Sequence, residues 1–150
     1  MTDFERSLPM ILNLTLDAIM PAYRDLFTQY DLTEPQWRVL RMVWNDQNIT
    51  SAALSEKTLL SPPSLVSIID RLEKKGLVSR VRSLTDRRQV YVVATAKGRA
   101  LHQEVMPHVV AIHEDLKVRV SDEEWAAMET ILNKIRRPAG ASNLHAVGDV

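Results

Sequence analysis

Apolar side chains recur at helical spacing along most of this chain and switch to alternate positions only once, between residues 77 and 94. Leu8, Ile11, Leu12, Ile19, Leu26 and Phe27 predict a long first helix over Phe4 to Tyr30, with Pro21 inside it. A second helix opens at Thr33. There Thr33-Glu34-Pro35-Gln36 has the form of a capping box, with a hydroxyl at the N-cap, proline in the first turn and glutamine at N3. Trp37, Leu40, Val43 and Trp44 make its apolar stripe, which dissolves near Asn45-Asp46-Gln47-Asn48. A short third helix runs from Thr50 to Thr58 around Ala53 and Leu54. The fourth has Ser61 as N-cap and Pro62 and Pro63 in its first turn, where amides need no intrahelical partner. It runs to Lys75 and stops at Gly76.

The period then falls to two. Leu77 to Arg82 and Gln89 to Ala94 read as strands joined by the polar hairpin Ser83-Leu84-Thr85-Asp86-Arg87-Arg88. Thr95 caps a fifth helix with Leu101, Val105, Val109, Ile112, Leu116 and Val120 on one stripe and Pro107 within it. Ser121-Asp122-Glu123-Glu124 is a second capping box, opening a sixth helix with Trp125, Met128, Leu132 and Ile135 that Pro138 closes. The fold class is therefore mainly α with a small β-hairpin wing: a winged helix-turn-helix over about residues 33–95, between long terminal helices at about 4–30 and 96–137. Those terminal helices carry more apolar residues than one small domain can cover, which predicts a two-fold dimer interface. Residues 1–137 are expected to form a single domain. Residues 138–150 have no periodicity and are expected to be a disordered tail.

Composition adds little until charge is mapped along the chain. The 150 residues are 45% hydrophobic and 25% charged, ordinary for a globular domain, and formally neutral. Between Ser61 and Arg99, however, nine basic residues face three acidic ones, a net of +6 that leaves −6 for the rest. Such segregation suits a phosphate-binding face on an otherwise acidic body, and equally a solvated charged face. There is no cysteine, so disulfide and thiolate chemistry are excluded. No signal peptide and no run of about 18 apolar residues occur, so the expected location is the cytoplasm, with no membrane partner.

The fourth helix buries Leu65, Ile68, Ile69 and Leu72 and places Ser64, Ser67, Arg71 and Lys74 on the opposite stripe. Small polar groups near its N-terminus suit base edges in a major groove, and basic groups further along can reach phosphates. Ser61 and Pro63 stand at the entrance. In the hairpin, Asp86 can hold the tip in shape so that Arg88 or Arg87 enters a minor groove, where negative potential is deepest, with Arg82 beside them. An amphipathic surface helix and a solubilising turn would explain each feature separately. The two in succession favour duplex DNA over a protein-interaction module, and no triad, paired acid, phosphate loop or cofactor motif supports an enzyme. No catalytic, metal or cofactor site is expected. His102 and His113 are too far apart along one helix to share an ion. The tryptophans lie on core stripes.

Three segments carry a family resemblance. Leu32 to Leu40 (LTEPQWRVL), Ile69 to Val78 (IDRLEKKGLV) and Asp86-Arg87-Arg88 with Thr95-Ala96-Lys97-Gly98 resemble the second helix, the recognition helix and the wing of the MarR family, over roughly residues 8–137. The Gln36-Trp37-Arg38-Val39-Leu40-Arg41 run looks closest to regulators of homoprotocatechuate and other aromatic-acid degradation. The resemblance implies a cytoplasmic homodimer with intertwined terminal helices that binds a pseudo-palindromic DNA operator, usually as a repressor released by a small-molecule effector. It matches Ser64, Ser67 and Arg71 to groove-facing residues, and Asp86 and Arg88 to the wing-tip acid and minor-groove arginine. Several aromatic-acid sensors of the family hold the ligand carboxylate with a first-helix arginine. Here that position is Leu16, so Arg38 or Arg41, beside Trp37, would have to substitute.

Overall fold

The computed structural model describes residues 6–136, so the expected tail at 138–150 and the predicted start of the first helix at Phe4 lie outside the described residues. The elements are α1 (Leu8–Gln29), α2 (Glu34–Asn45), β1 (Ile49–Thr50), α3 (Ser51–Thr58), α4 (Pro62–Lys74), β2 (Val78–Arg82), β3 (Val90–Ala94), α5 (Ala96–Lys117) and α6 (Asp122–Arg136). They fall into two compact units, one ending at Val110 and one starting at Ala111, with the boundary inside α5.

In the first unit the helix ends form where local chemistry predicts. At α2 the Thr33 hydroxyl accepts from the Gln36 amide while the Gln36 side chain accepts from the Thr33 amide, closing the capping box. Ser61 Oγ receives the Ser64 amide at the start of α4. Gly76, at φ +71°, takes the left-handed turn that ends α4 at little cost. The short α3–α4 turn is tighter: Leu59 holds φ +58°, a conformation costing a β-carbon residue roughly 1–2 kcal/mol, with its side chain almost fully in solvent. Leu26, Phe27, Val39, Leu40, Val43, Leu54, Leu65, Ile69, Leu72 and Val105 form the core. An aromatic row crosses it: Phe27 stacks on Trp37 at 4.7 Å, Trp44 meets Trp37 edge-on at 5.4 Å, and His102 lies against Trp44 at 4.8 Å.

The sheet has three strands rather than the expected two. β1 pairs antiparallel with β3, Ile49 opposite Val92, giving the order β1-β3-β2. Two residues are too few for an alternating pattern, and Thr50 doubles as the N-cap of α3, accepting the Ala53 amide. β2 and β3 pair from Val78–Ala94 to Arg82–Val90.

Gly98 locks this sheet to α5. Its amide donates to Thr95 Oγ1, its carbonyl accepts Trp44 Nε1 at 3.1 Å, and a β-carbon there would stand 2.1 Å from the Leu77 carbonyl oxygen. On α1, Leu8, Ile11, Leu12, Leu14 and Leu16 remain exposed.

In the second unit, Ser121 and Glu124 close the predicted capping box and His113 meets Trp125 edge-on at 5.0 Å. No residue of α6 is buried, and Met128, Ile131, Leu132 and Ile135 are exposed apolar groups along it. No described helix is long and apolar enough to cross a membrane.

Candidate nucleic-acid interface

The fourth helix presents the predicted stripe. Ser61, Pro63, Ser64, Ser67, Arg71 and Lys74 are exposed, while Leu65, Ile69 and Leu72 point into the core. Ser61 Oγ also donates to Ser64 Oγ at 2.9 Å, so the two hydroxyls are pre-ordered at the helix entrance. Val66 is an exposed apolar residue beside this stripe. No sequence motif singles it out, although its place next to Ser67 on the exposed side of α4 marks it as a candidate for apolar contact.

The wing tip is shaped by hydroxyl and carboxylate acceptors. Buried Ser83 receives the amides of Thr85 and Asp86 on its Oγ, each at 3.2 Å. Asp86 Oδ1 accepts the Arg88 amide at 3.0 Å, and the Asp86 carbonyl accepts Gln89 N. Asp86 thus braces the turn through the backbone, an Asx turn, and forms no ion pair with Arg87 or Arg88. Arg82, Arg87 and Arg88 are exposed, and Leu84 stands fully in solvent at the tip. Among the described residues Arg71, Lys74, Arg82, Arg87 and Arg88 have no acidic partner, so five cations of α4 and the wing are available.

Arg80, although it stands on β2 next to the hairpin, is not a free cation. Its guanidinium pairs with Asp70 of α4 at 2.8 Å and with Glu73, and its amide donates to Glu73 Oε1 at 2.9 Å. Partial burial works against its charge, but the Asp70 hydrogen bond and the charges of Glu73 and Asp70 outweigh that and hold it above the usual arginine range. Arg80 therefore ties β2 to α4. Lys75 is likewise engaged, with Asp31 and Gln36.

This tie makes a prediction. Arg80→Ala should change folding stability by less than about 1 kcal/mol, because the pair is partly solvated. It should weaken duplex binding about tenfold, since it frees the wing and leaves the Asp70 and Glu73 carboxylates unneutralised on α4. Thermal melting and duplex titration of one preparation check it. Equal affinity for the variant would remove the positioning role.

Of the three expected effector residues, Arg41 lies against Trp37 while Arg38 is engaged elsewhere. Trp37 is buried in the aromatic row. Arg38 is held by Glu34 in a two-pronged ion pair and donates to the Thr58 carbonyl at 3.0 Å, so it fastens α2 to the end of α3. Arg41 sits 6.0 Å from the Trp37 ring centre, with Nη1 3.1 Å from Met106 Sδ of α5. No group of three or more metal-ligating side chains occurs among the described residues.

Comparison with known proteins gives a consistent answer. The MarR family model matches residues 32–90, which hold α2 through the start of β3. The homoprotocatechuate degradative operon repressor of Escherichia coli is 26% identical over 128 residues, covering 85% of this chain and 86% of its own. An uncharacterized HTH-type transcriptional regulator of Bacillus subtilis, YsmB, is 31% identical over 134 residues and covers 89% of each. Among solved structures, NadR in complex with 4-hydroxyphenylacetate superposes with a TM-score of 0.80 at 25% identity, over 93% of this chain and 99% of that one.

Proposed function

The chain belongs to the MarR family and is a DNA-binding transcription regulator; from that premise we propose that it is a cytoplasmic homodimeric repressor, released from a pseudo-palindromic operator by a small organic acid. The observation that carries the reading is the pairing of a serine-lined helix α4 with a braced arginine wing, five exposed cations without acidic partners lying on these two elements. We assign Ser61, Pro63, Ser64, Ser67, Arg71 and Lys74 to the major groove and its phosphates. Arg82, Arg87 and Arg88 take the minor groove and its edges, and Asp86 shapes the wing.

The exposed apolar faces of α1 and α6 support self-association, because a monomer would leave both in water. In this reading residues 1–137 act as one functional domain in which a second copy covers those faces. Effector control is supported by relatives, a repressor of homoprotocatechuate degradation and a structure holding 4-hydroxyphenylacetate. In this chain Trp37 and Arg41 are the residues assigned to it. Arg38 is committed to Glu34 and Thr58 and would have to leave them to reach an effector.

Selection of bound duplexes from a random pool tests the proposal. It should return two inverted half-sites about one helical turn apart, roughly 34–36 Å, with two chains per duplex. A single asymmetric site bound by one chain would overturn it.

A further inference from the structure

One cavity in the first unit lies away from Trp37 and Arg41. It lies at the other end of the aromatic row, where the end of α2, the end of β3 and the first turns of α5 meet, and has a volume of about 550 Å³. That is within the usual range for small-ligand sites, about 300–1,000 Å³. Trp44 and His102, 4.8 Å apart between ring centres, supply an aromatic wall. Val43 and Val93 add apolar surface, and Gln47, Asn48 and Gln103 add carboxamides. The one guanidinium is that of Arg99, and no carboxylate lines the cavity.

We propose that this cavity is a second ligand site, taking a flat aromatic or heteroaromatic ring that carries a carboxylate. The ring is matched by the Trp44–His102 wall, which offers π-surface on one side. The carboxylate is matched by Arg99, whose Nη1 now donates to the Ala94 carbonyl at 2.8 Å and whose other donors remain to receive an anion. The carboxamides can bind ring nitrogens or hydroxyls and so select among acids of this class.

The position gives the site a consequence. Ala94 ends β3, the central strand of the sheet, and the same sheet carries the wing. Trp44 also donates to the Gly98 carbonyl of α5. A carboxylate bound through the remaining donors of Arg99 pulls on the same guanidinium that fastens α5 to the end of β3, and thereby shifts the wing. Ligand binding stands on the cavity alone; the effect on the wing rests on the reading of the chain as an operator-binding regulator.

The test uses the full chain with 1-naphthoate and its neutral counterpart 1-naphthamide. Calorimetry and the histidine ring resonances are followed together, with His102 assigned by its loss in His102→Gln. The expected result is saturable binding of 1-naphthoate, one molecule per chain, with a shift of the His102 resonances. 1-Naphthamide and the Arg99→Gln variant should each bind at least about tenfold more weakly. Unmoved His102 resonances, or an Arg99→Gln variant that binds as the wild type does, would overturn the site. Saturation that leaves operator affinity unchanged would overturn the coupling to the wing. Failure of the unliganded chain to bind any operator would instead count against the DNA-binding reading.

Discussion

Replacing Gly98 with alanine is expected to lower the melting temperature by roughly 10 °C, equivalent to about 3 kcal/mol in a chain of this size. The added β-carbon would stand 2.1 Å from the Leu77 carbonyl oxygen, and the obstacle is backbone on both sides. No rotamer change relieves it. Leu77 must move away from α5, taking with it the entry to β2 and the Thr95 amide that bonds to the Leu77 carbonyl at 3.1 Å. Operator affinity should fall along with stability, because the wing starts at this junction. Thermal melting followed by far-ultraviolet circular dichroism measures the effect. A melting point within 2 °C or so of wild type would show that α5 and the sheet are not locked as described.

The second large effect belongs to the wing. Arg88→Ala should cost on the order of 1–3 kcal/mol of operator binding, and Asp86→Ala should also weaken it, by a few-fold. An inserted guanidinium meets the focused negative potential of a narrow minor groove, so Arg88 should outweigh any other single residue of the hairpin. Simple Coulomb reasoning gives Asp86 the opposite sign, since removing an acid from a DNA-facing tip relieves repulsion. The structure supplies the competing term. The Asp86 carboxylate accepts the Arg88 amide at 3.0 Å and fixes the backbone from which the Arg88 side chain leaves. Without that brace the tip loses more entropy on binding. Parallel titrations of the two variants on one operator decide the sign, and tighter binding by Asp86→Ala would remove the bracing role.

What could be read in the sequence was local. Thr33 with Gln36, Ser121 with Glu124, and Ser61 ahead of two prolines signal their helix starts within four residues, and each forms as read. The stripe of Ser64, Ser67, Arg71 and Lys74 was legible because helical periodicity alone sets which side it faces. The parts that escaped depend on residues distant along the chain. Arg80 looks like one more cation of the wing until the turn at Gly76 folds β2 back against Asp70 and Glu73. Gly98 looks like part of a motif, but its reason is the Leu77 carbonyl one strand pair away. β1 is too short to leave a pattern, and the Trp44–His102–Arg99 cavity joins segments that no spacing relates. Arg38 and Arg41, alike in sequence, leave α2 towards different neighbours.

The central claim is that one face of this chain binds DNA phosphates, and its most direct test is the slope of log affinity against log salt concentration on a selected operator. Two chains present ten free cations from Arg71, Lys74, Arg82, Arg87 and Arg88. If most of them reach phosphates, the slope should lie between about −5 and −9, shrinking by roughly two units when Arg88→Ala removes one contact from each chain. A slope near zero, with binding unchanged from about 50 to 200 mM salt, would contradict the account.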